Sequence, residues 1–358
     1  MYRQTLTTAL RSFAHAGKHS YAAPSRGLAT IMCSKHGSPQ SVLTVAQDTD
    51  VGAPGDGQVL LKMISAPVTP HDLAMVGGVG EVRASLPCAA GLMGVGEVVA
   101  SGPGAKATVG GKVVVALPGI GTWQSQALAP DAAVCTVPSS LSTEAAAALV
   151  SAALPAQLLL DNFTNLQSGD VVVCNGGDSP VGVALVQLAK AMGLKIAAVV
   201  SEEAGEEVKA KLTSLGADAV ISNASSSGGR AALRELGAAK LAVNLVGGKS
   251  TQALTKALGP GGVLVTAGGK ARQGVEVSVP ALIFNGIEVK GFSLVRWLSM
   301  TPPEEKQSAI EALASKVSSG IISSGIELPT KAFTCDELDA AITLASTEGV
   351  MESTLLSL

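Results

Sequence analysis

The stretch that most constrains the fold is Asp170 to Val200, DVVVCNGGDSPVGVALVQLAKAMGLKIAAVV, which reads as strand, glycine-rich turn, helix and second strand. Asp170 to Asn175 is a β-branched run. Gly176-Gly177-Asp178-Ser179-Pro180-Val181-Gly182 breaks it with residues that permit tight backbone. Val181, Leu185, Leu188, Ala189 and Met192 then recur at helical spacing, and Leu194 to Val200 returns as a buried strand. A parallel pair joined this way leaves its turn at the carboxyl edge of a sheet, where a helix N-terminus and bare amides suit a pyrophosphate. The dinucleotide fingerprint is matched as Gly177-x-Ser179-x-x-Gly182, with serine at the second glycine, and Glu202-Glu203 follow the second strand where a ribose would lie. The plainer alternative is a turn that only packs a helix on a sheet, and Asp178 favours it because a carboxylate in the loop repels phosphate.

The chain has 358 residues, which suits two domains of ordinary size. Lys+Arg 25 nearly balances Asp+Glu 28 without blocks of either sign, so nothing asks for nucleic acid or an anionic membrane. The first 47 residues hold no Asp or Glu, yet carry Arg3, Arg11, Lys18, Arg26 and Lys35 among Ser, Thr and Ala. That composition predicts a transit peptide over residues 1–27 and a mature N-terminus near Gly27 to Ser34. The mitochondrial matrix is the expected address, with a plastid as the alternative. No long apolar run follows that could span a membrane. Five cysteines, Cys33, Cys88, Cys135, Cys174 and Cys335, lack C-x-x-C spacing and form neither a zinc lobe nor a disulfide frame.

From Val42 to Val137 the pattern is strands and turns: Gln58 to Ile64, Gly94 to Ser101, Lys112 to Leu117, Gly121 to Ala127 and Ala133 to Val137. Such spacing predicts a small, partly closed β-barrel. One helix interrupts it, because Thr69-Pro70-His71-Asp72 supplies an N-cap, a proline at the first helical position and an acid placed for a capping box. Leu141 to Asn162 is a helical hinge. Strand and helix then alternate to Phe292, and a doubly wound parallel sheet results. The expected architecture is α/β, with a GroES-like barrel domain formed by 28–150 and 297–358 and a Rossmann domain formed by 151–296, the tail rejoining the barrel.

A barrel followed by a dinucleotide fold resembles the medium-chain dehydrogenase/reductase superfamily, and within it the mitochondrial trans-2-enoyl-thioester reductases. The residues carrying the resemblance are Pro70-His71-Asp72-Leu73, Gly121-Thr122-Trp123, Leu241 to Ser250, Thr266-Ala267-Gly268-Gly269-Lys270 and Leu282 to Asn285, followed by Gly291-Phe292 and Trp297. The resemblance implies reduction of a 2-enoyl thioester carried by acyl carrier protein or coenzyme A, in mitochondrial fatty-acid synthesis, by a homodimer paired through the strand Gly286 to Phe292. It also implies cofactor contacts from Asn175, Gly177, Ser179, Val181, Gly182, Ser201, Glu202, Gly268, Gly269 and Phe292. Trp123 and Trp297 are the implied substrate contacts.

Several positions depart from that pattern. The proton-donor tyrosine of the family falls at Gly80, and Tyr2 and Tyr21, the only tyrosines, lie in the expected leader. His71, read as a helix-start residue on the barrel surface, is the replacement candidate. Ser201-Glu202-Glu203 stands where the family clasps the 2′-phosphate of NADPH, so NADH is favoured, or no cofactor is held. Ala152, Pro155 and Ser353 replace expected polar residues. Gly91-Leu92-Met93 stands where zinc-dependent relatives carry a ligand segment, which excludes a catalytic zinc. Two functions remain open: a working enoyl-thioester reductase, or a catalytically inactive cofactor sensor or structural subunit.

Overall fold

In the computed structural model the described residues are 29–47, 50–322, 330–347 and 353–358; the expected leader with Tyr2 and Tyr21 lies outside them. The N-terminal half contains β1 (Ala29–Cys33), β2 (Leu43–Gln47), β3 (Gln58–Pro67), β4 (Cys88–Ala89), β5 (Gly94–Ser101), β6 (Lys112–Val115), β7 (Gln126–Pro130) and β8 (Val134–Thr136). Then come β9 (Val171–Asn175), β10 (Lys195–Val199), β11 (Ala219–Ile221), β12 (Ala239–Asn244), β13 (Leu258–Thr266) and β14 (Glu288–Gly291). The chain closes with β15 (Thr330–Phe333) and β16 (Ser353–Ser357).

The central sheet has the order β11-β10-β9-β12-β13-β14, with every neighbouring pair parallel. All of β9 is buried, as a strand covered by helices on both faces requires, which explains its unbroken run Val171, Val172, Val173 and Cys174. From β9 the chain winds outward to β11 and then crosses back to β12. The strand order therefore reverses between β9 and β12, and a crevice opens there at the carboxyl ends.

The other large sheet runs β15-β16-β3-β5-β6-β8. One edge of β3 is shared, since Gln58 to Lys62 pair with β7 while Ser65 to Pro67 pair with β16. The C-terminal strand thus returns to the sheet of the first half. The expected strand from Gly121 to Ala127 is a correction: the strand is β7, and residues 121–125 form a loop. Gly121 sits at φ 75, which ends an extended run. The loop's backbone is spent on other segments, with Trp123 N–H donating to Ala90 O (2.9 Å) and Trp123 O accepting from Ile31 N–H (2.8 Å).

Helix, π turn and helix join the halves without a break, over Thr143–Ala148, Leu149–Ala153 and Leu154–Asp161. A boundary drawn at 150 cuts this run. Pro155 has no N–H to give the preceding turn, and the wide π turn lies immediately before it. This corrects the expectation that no apolar run is long enough to span a membrane: the run is long and apolar enough to cross a bilayer, but 78% of its most apolar window is buried inside the protein.

Candidate active site

The floor of the crevice is an asparagine pair. Asn175, at the end of β9, is buried, and its Nδ2 donates to Asn244 Oδ1 (2.8 Å) and Ser250 Oγ (2.8 Å). Its Oδ1 accepts from the amides of Leu245 (2.6 Å) and Val246 (3.2 Å). Asn244 Oδ1 also accepts from Gly247 N–H (2.8 Å), and Asn244 Nδ2 donates to Thr266 Oγ1 (3.1 Å). The ends of β9, β12 and β13 are held in fixed spacing by a network whose buried donors and acceptors are matched. Gly268 N–H donates to Asn244 O (3.2 Å), and a Cβ on Gly268 would lie 2.3 Å from Leu245 O, so the loops after β12 and β13 touch backbone to backbone. Gly269, next in that loop, is exposed. Sequence reasoning identified Asn175 and Gly268 but missed Asn244, Ser250 and Thr266, which it quoted only as part of a resemblance.

The turn after β9 has the shape that the fingerprint requires. Ser179, in the place of the second glycine, caps the Pro180–Ala191 helix: its Oγ accepts from Gly182 N–H (3.2 Å) and donates to Gly176 O (2.6 Å). A Cβ on Gly182 would lie 2.2 Å from Gly176 O, so only glycine fits where the helix starts. A Cβ on Gly177 would lie 2.8 Å from the Ala198 Cβ, which presses the turn onto β10. Pro180 has no N–H and Gly182 has spent its own, which leaves the Val181 amide as the remaining donor of the helix's first turn. A cradle closed to any side chain, with a spare amide at a helix N-terminus, fits the pyrophosphate of a dinucleotide.

Asp178 corrects the expectation that it points at the phosphate. Its carboxylate is buried and turned back onto the end of β10, where it accepts from Ser201 Oγ (2.8 Å) and Ser201 N–H (3.3 Å). Two donors at Ser201 hold it there. Beyond it Glu202 and Glu203 are exposed, and Glu202 Oε1 accepts from Asn223 Nδ2 (2.9 Å). Lys209, the next cation along the chain, is paired with Glu206 at 2.7 Å. The corner is acidic, and its nearest sequence cation is engaged by a carboxylate.

An aromatic pocket of about 480 Å3 opens beside the crevice, lined by Phe163, Phe292, Ser293, Arg296, Trp297 and Met300 among others. Phe292 N–H donates to Thr266 O (2.9 Å), so this wall is tied to the residue whose hydroxyl Asn244 binds. Phe163 meets Phe292 edge-on, with centroids 6.1 Å apart at 88°. Trp297 is a half-buried part of the wall. Trp123 is not: it is fully buried and its indole N–H donates to Pro67 O (3.3 Å), so the expected substrate contact is corrected to a core residue.

The loop bearing Gly80 is fastened to the pocket rim. Glu81 accepts from the Ser293 hydroxyl and from Arg296, at 3.2 Å from Nε and 3.1 Å from Nη2. Gly80 itself is half-buried, and its N–H donates to Ala74 O (2.9 Å). His71 is half-buried rather than on the surface, and burial pushes its pKa below the usual histidine value despite an opposing pull from Glu81. The imidazolium that a proton donor needs is therefore scarce at neutral pH. Ala152 and Pro155 are buried in the helical run, and Ser353 is buried at the start of β16.

Asp72 carries more than the capping box foresaw. Fully buried, it accepts from Thr69 N–H (2.8 Å), from the Thr69 hydroxyl and from Leu92 N–H (2.7 Å), and burial raises its pKa to about 6. Spacing revealed the cap; the reach to Leu92 has no local signature. Among the described residues no three His, Cys, Asp or Glu side chains converge on a metal position, and the side chains of Leu92 and Met93 are buried in the core.

Two family descriptions match the chain: the alcohol dehydrogenase GroES-like domain over residues 55–139 and the zinc-binding dehydrogenase over residues 180–315. The enoyl thioester reductase of Candida tropicalis, in a mutant form, superposes with a TM-score of 0.82 at 24% identity, covering 93% of this chain and 100% of that one. A putative NADPH:quinone reductase from Bacillus thuringiensis gives a TM-score of 0.80 at 24% identity, again covering 93% and 100%. A GroES-like domain joined to a Rossmann sheet, with the crevice at its switch point, defines a medium-chain dehydrogenase/reductase. Structural likeness at this identity shows the fold alone, and both kinds of reductase share it. Sequence decides further. Mitochondrial enoyl-[acyl-carrier-protein] reductase of Rattus norvegicus is 33% identical over 289 residues, 80% of this chain and 77% of that protein. Its Homo sapiens counterpart is 32% identical over 309 residues, 85% and 83% of the two chains. The chain belongs to the family of mitochondrial enoyl-acyl-carrier-protein reductases.

Proposed function

We propose that the protein is a nicotinamide-dependent reductase of short 2-enoyl thioesters, slow in its protonation step, that works as a homodimer in mitochondria. The observation that carries this reading is the continuity of crevice and pocket: Asn175, Asn244, Thr266 and Phe292 form one chain of contacts from the dinucleotide cradle to the aromatic wall. A nicotinamide dinucleotide, when bound, supplies the hydride that reduces the Cβ of the enoyl group. The chain's own part is to hold the pyrophosphate at the Val181 amide, to keep the strand ends rigid through Asn175, and to seat the acyl group against Phe163, Phe292 and Trp297, away from water.

Glu202 and Glu203 accept a ribose 2′-hydroxyl and repel a 2′-phosphate, which supports NADH over NADPH. With Gly80 lacking a hydroxyl and His71 neutral, water is the source of the proton at Cα, and a lost general acid slows the reaction by about 10²–10⁴-fold. The NADP and crotonyl-CoA complex of the enoyl thioester reductase Etr1p, a neighbour with a TM-score of 0.83 at 22% identity over 93% of this chain and 100% of that one, supports the ligand classes. The mitochondrial address is supported by the names of the relatives and by the acid-free leader, with a mature N-terminus near Gly27 to Ser34.

The dimer rests on the sheet edge. All four residues of β14 are exposed, and Val279, Leu282, Ile283 and Phe284 are exposed beside it, with Phe284 at 80%. An open edge strand next to an apolar patch calls for a partner, and a second copy pairs edge to edge about a two-fold axis. Single-turnover oxidation of NADH by excess protein with crotonyl thioester tests the activity. Slow, complete oxidation is expected. NADH that binds but is never oxidised would show a fold that kept its cofactor and lost its reaction.

A further inference from the structure

We propose that Cys33 and Cys88 are a redox-active dithiol that closes reversibly to a disulfide. The two residues lie far apart in sequence, but β1 and β4 are antiparallel and their register sets Cys33 directly opposite Cys88, with Met32 opposite Ala89. Directly opposed residues in such a ladder have Cα atoms about 4.5 or about 5.5 Å apart and side chains on one face; both spacings fall inside the range of about 4.4–6.8 Å that a disulfide takes. Both thiols are free. Cys33 is buried with its Sγ 3.3 Å from Lys35 O, and Cys88 is half-buried, so a reagent reaches the pair through Cys88. Cys135 and Cys174 are buried in other strands, and Cys335 lies on a separate turn near the C-terminus.

The reaction is exchange with a low-molecular-weight disulfide such as oxidised glutathione. The Cys88 thiolate attacks one glutathione sulfur, the glutathione S–S bond breaks, and one glutathione thiolate leaves and takes up a proton. The Cys33 thiolate then attacks the Cys88 sulfur and expels the second glutathione thiolate. Two protein thiols lose two protons and two electrons, and one glutathione disulfide becomes two thiols. Burial, and the neighbouring Cys33 after it, push the Cys88 thiol up to about 11, so exchange is slow at neutral pH and accelerates as pH rises.

The bond would tie both flanks of the Gly80 loop. The segment after Cys33 already holds the end of the Pro70–Val76 helix, through Gly37 N–H to Val76 O (3.2 Å) and His36 Nδ1 near the same oxygen (3.3 Å). Cys88 stands at the other end of the loop.

The full folded chain, incubated with oxidised glutathione at mildly alkaline pH and then alkylated and digested, tests the assignment. The expected result is one Cys33–Cys88 cross-linked peptide, a mass about two units lower and loss of two titratable thiols, all reversed by dithiothreitol. Cys33→Ser and Cys88→Ser should each abolish the cross-link, and Cys88→Ser should leave Cys33 unmodified. A glutathione adduct that persists on Cys88 with Cys33 free would overturn the proposal. So would two unreacted thiols in the folded protein under conditions in which the unfolded chain cross-links.

Discussion

A side chain at Gly80 should cost stability before it can restore chemistry. A Cβ there would lie 3.0 Å from Met75 N, 3.1 Å from Ala74 C and 3.3 Å from Ala74 O, all backbone atoms of the Pro70–Val76 helix. That helix is capped at its start by Thr69 and Asp72 and cannot yield as a flexible side chain would. The loop must move instead, and overpacking of this kind costs about 1–3 kcal/mol. With an unfolding entropy of about 2.1 cal/mol/K per residue over 358 residues, each kcal/mol lowers Tm by about 1.3 °C, so Gly80→Ala should melt about 1–4 °C below wild type. Gly80→Tyr and Gly80→Phe share the Cβ and should melt no higher than the alanine variant. A well-placed general acid is worth about 10²–10⁴-fold, and a tyrosine on a displaced loop should recover part of it, about tenfold in single-turnover rate over Gly80→Phe. Thermal melts and stopped-flow nicotinamide absorbance on the four proteins read both quantities. Gly80→Ala melting with wild type would refute the packing argument, and equal rates for the tyrosine and phenylalanine variants would refute the hydroxyl argument.

Asp72 has its pKa raised from 3.8 to about 6, so the folded protein binds this proton more readily than the unfolded chain; its stabilising contribution is full below the unfolded pKa and is lost as pH rises through about 6, by about 3 kcal/mol. Asp72→Ala leaves the Leu92 and Thr69 amides without an acceptor, about 1–3 kcal/mol each, and urea melts should show a loss about 1–2 kcal/mol larger at about pH 5 than at about pH 7.5. Phe284→Glu, at a residue 80% exposed beside β14, should convert a dimer to monomer in sedimentation at micromolar concentration, with the circular dichroism of the folded chain unchanged and the concentration dependence of its melt lost. Glu202→Arg with Glu203→Arg should raise NADPH affinity about tenfold or more in equilibrium titration by replacing two repulsive charges with a phosphate partner.

Much of the frame was legible because it is written in local pattern. The β-branched run before Gly176 and the helical spacing from Val181 foretold β9 and its following helix, and Thr69 with Asp72 foretold a capping box that forms. What stayed hidden is what distant segments do to one another. Gly121-Thr122-Trp123 reads as extended, but its backbone bonds go to Ile31 and Ala90 and the indole is sealed in the core. Asp178 looked like a charge aimed at phosphate until Ser201 supplied two donors behind it. His71 looked solvated, and the packing of the Glu81 loop against Ser293 and Arg296 had no signal in the residues around it. The Cys33–Cys88 opposition likewise depends on strand register, which neither cysteine's neighbours encode.

The central claim is that the crevice at the β9–β12 switch point is a working dinucleotide site whose acidic corner selects a 2′-hydroxyl. Calorimetric titration of the folded chain with NADH and with NADPH, at the same ionic strength, tests it most directly. The account predicts saturable binding of NADH, with NADPH at least about tenfold weaker through the added phosphate facing Glu202 and Glu203. Binding of NADPH as tight as NADH, or no binding of either, would contradict it.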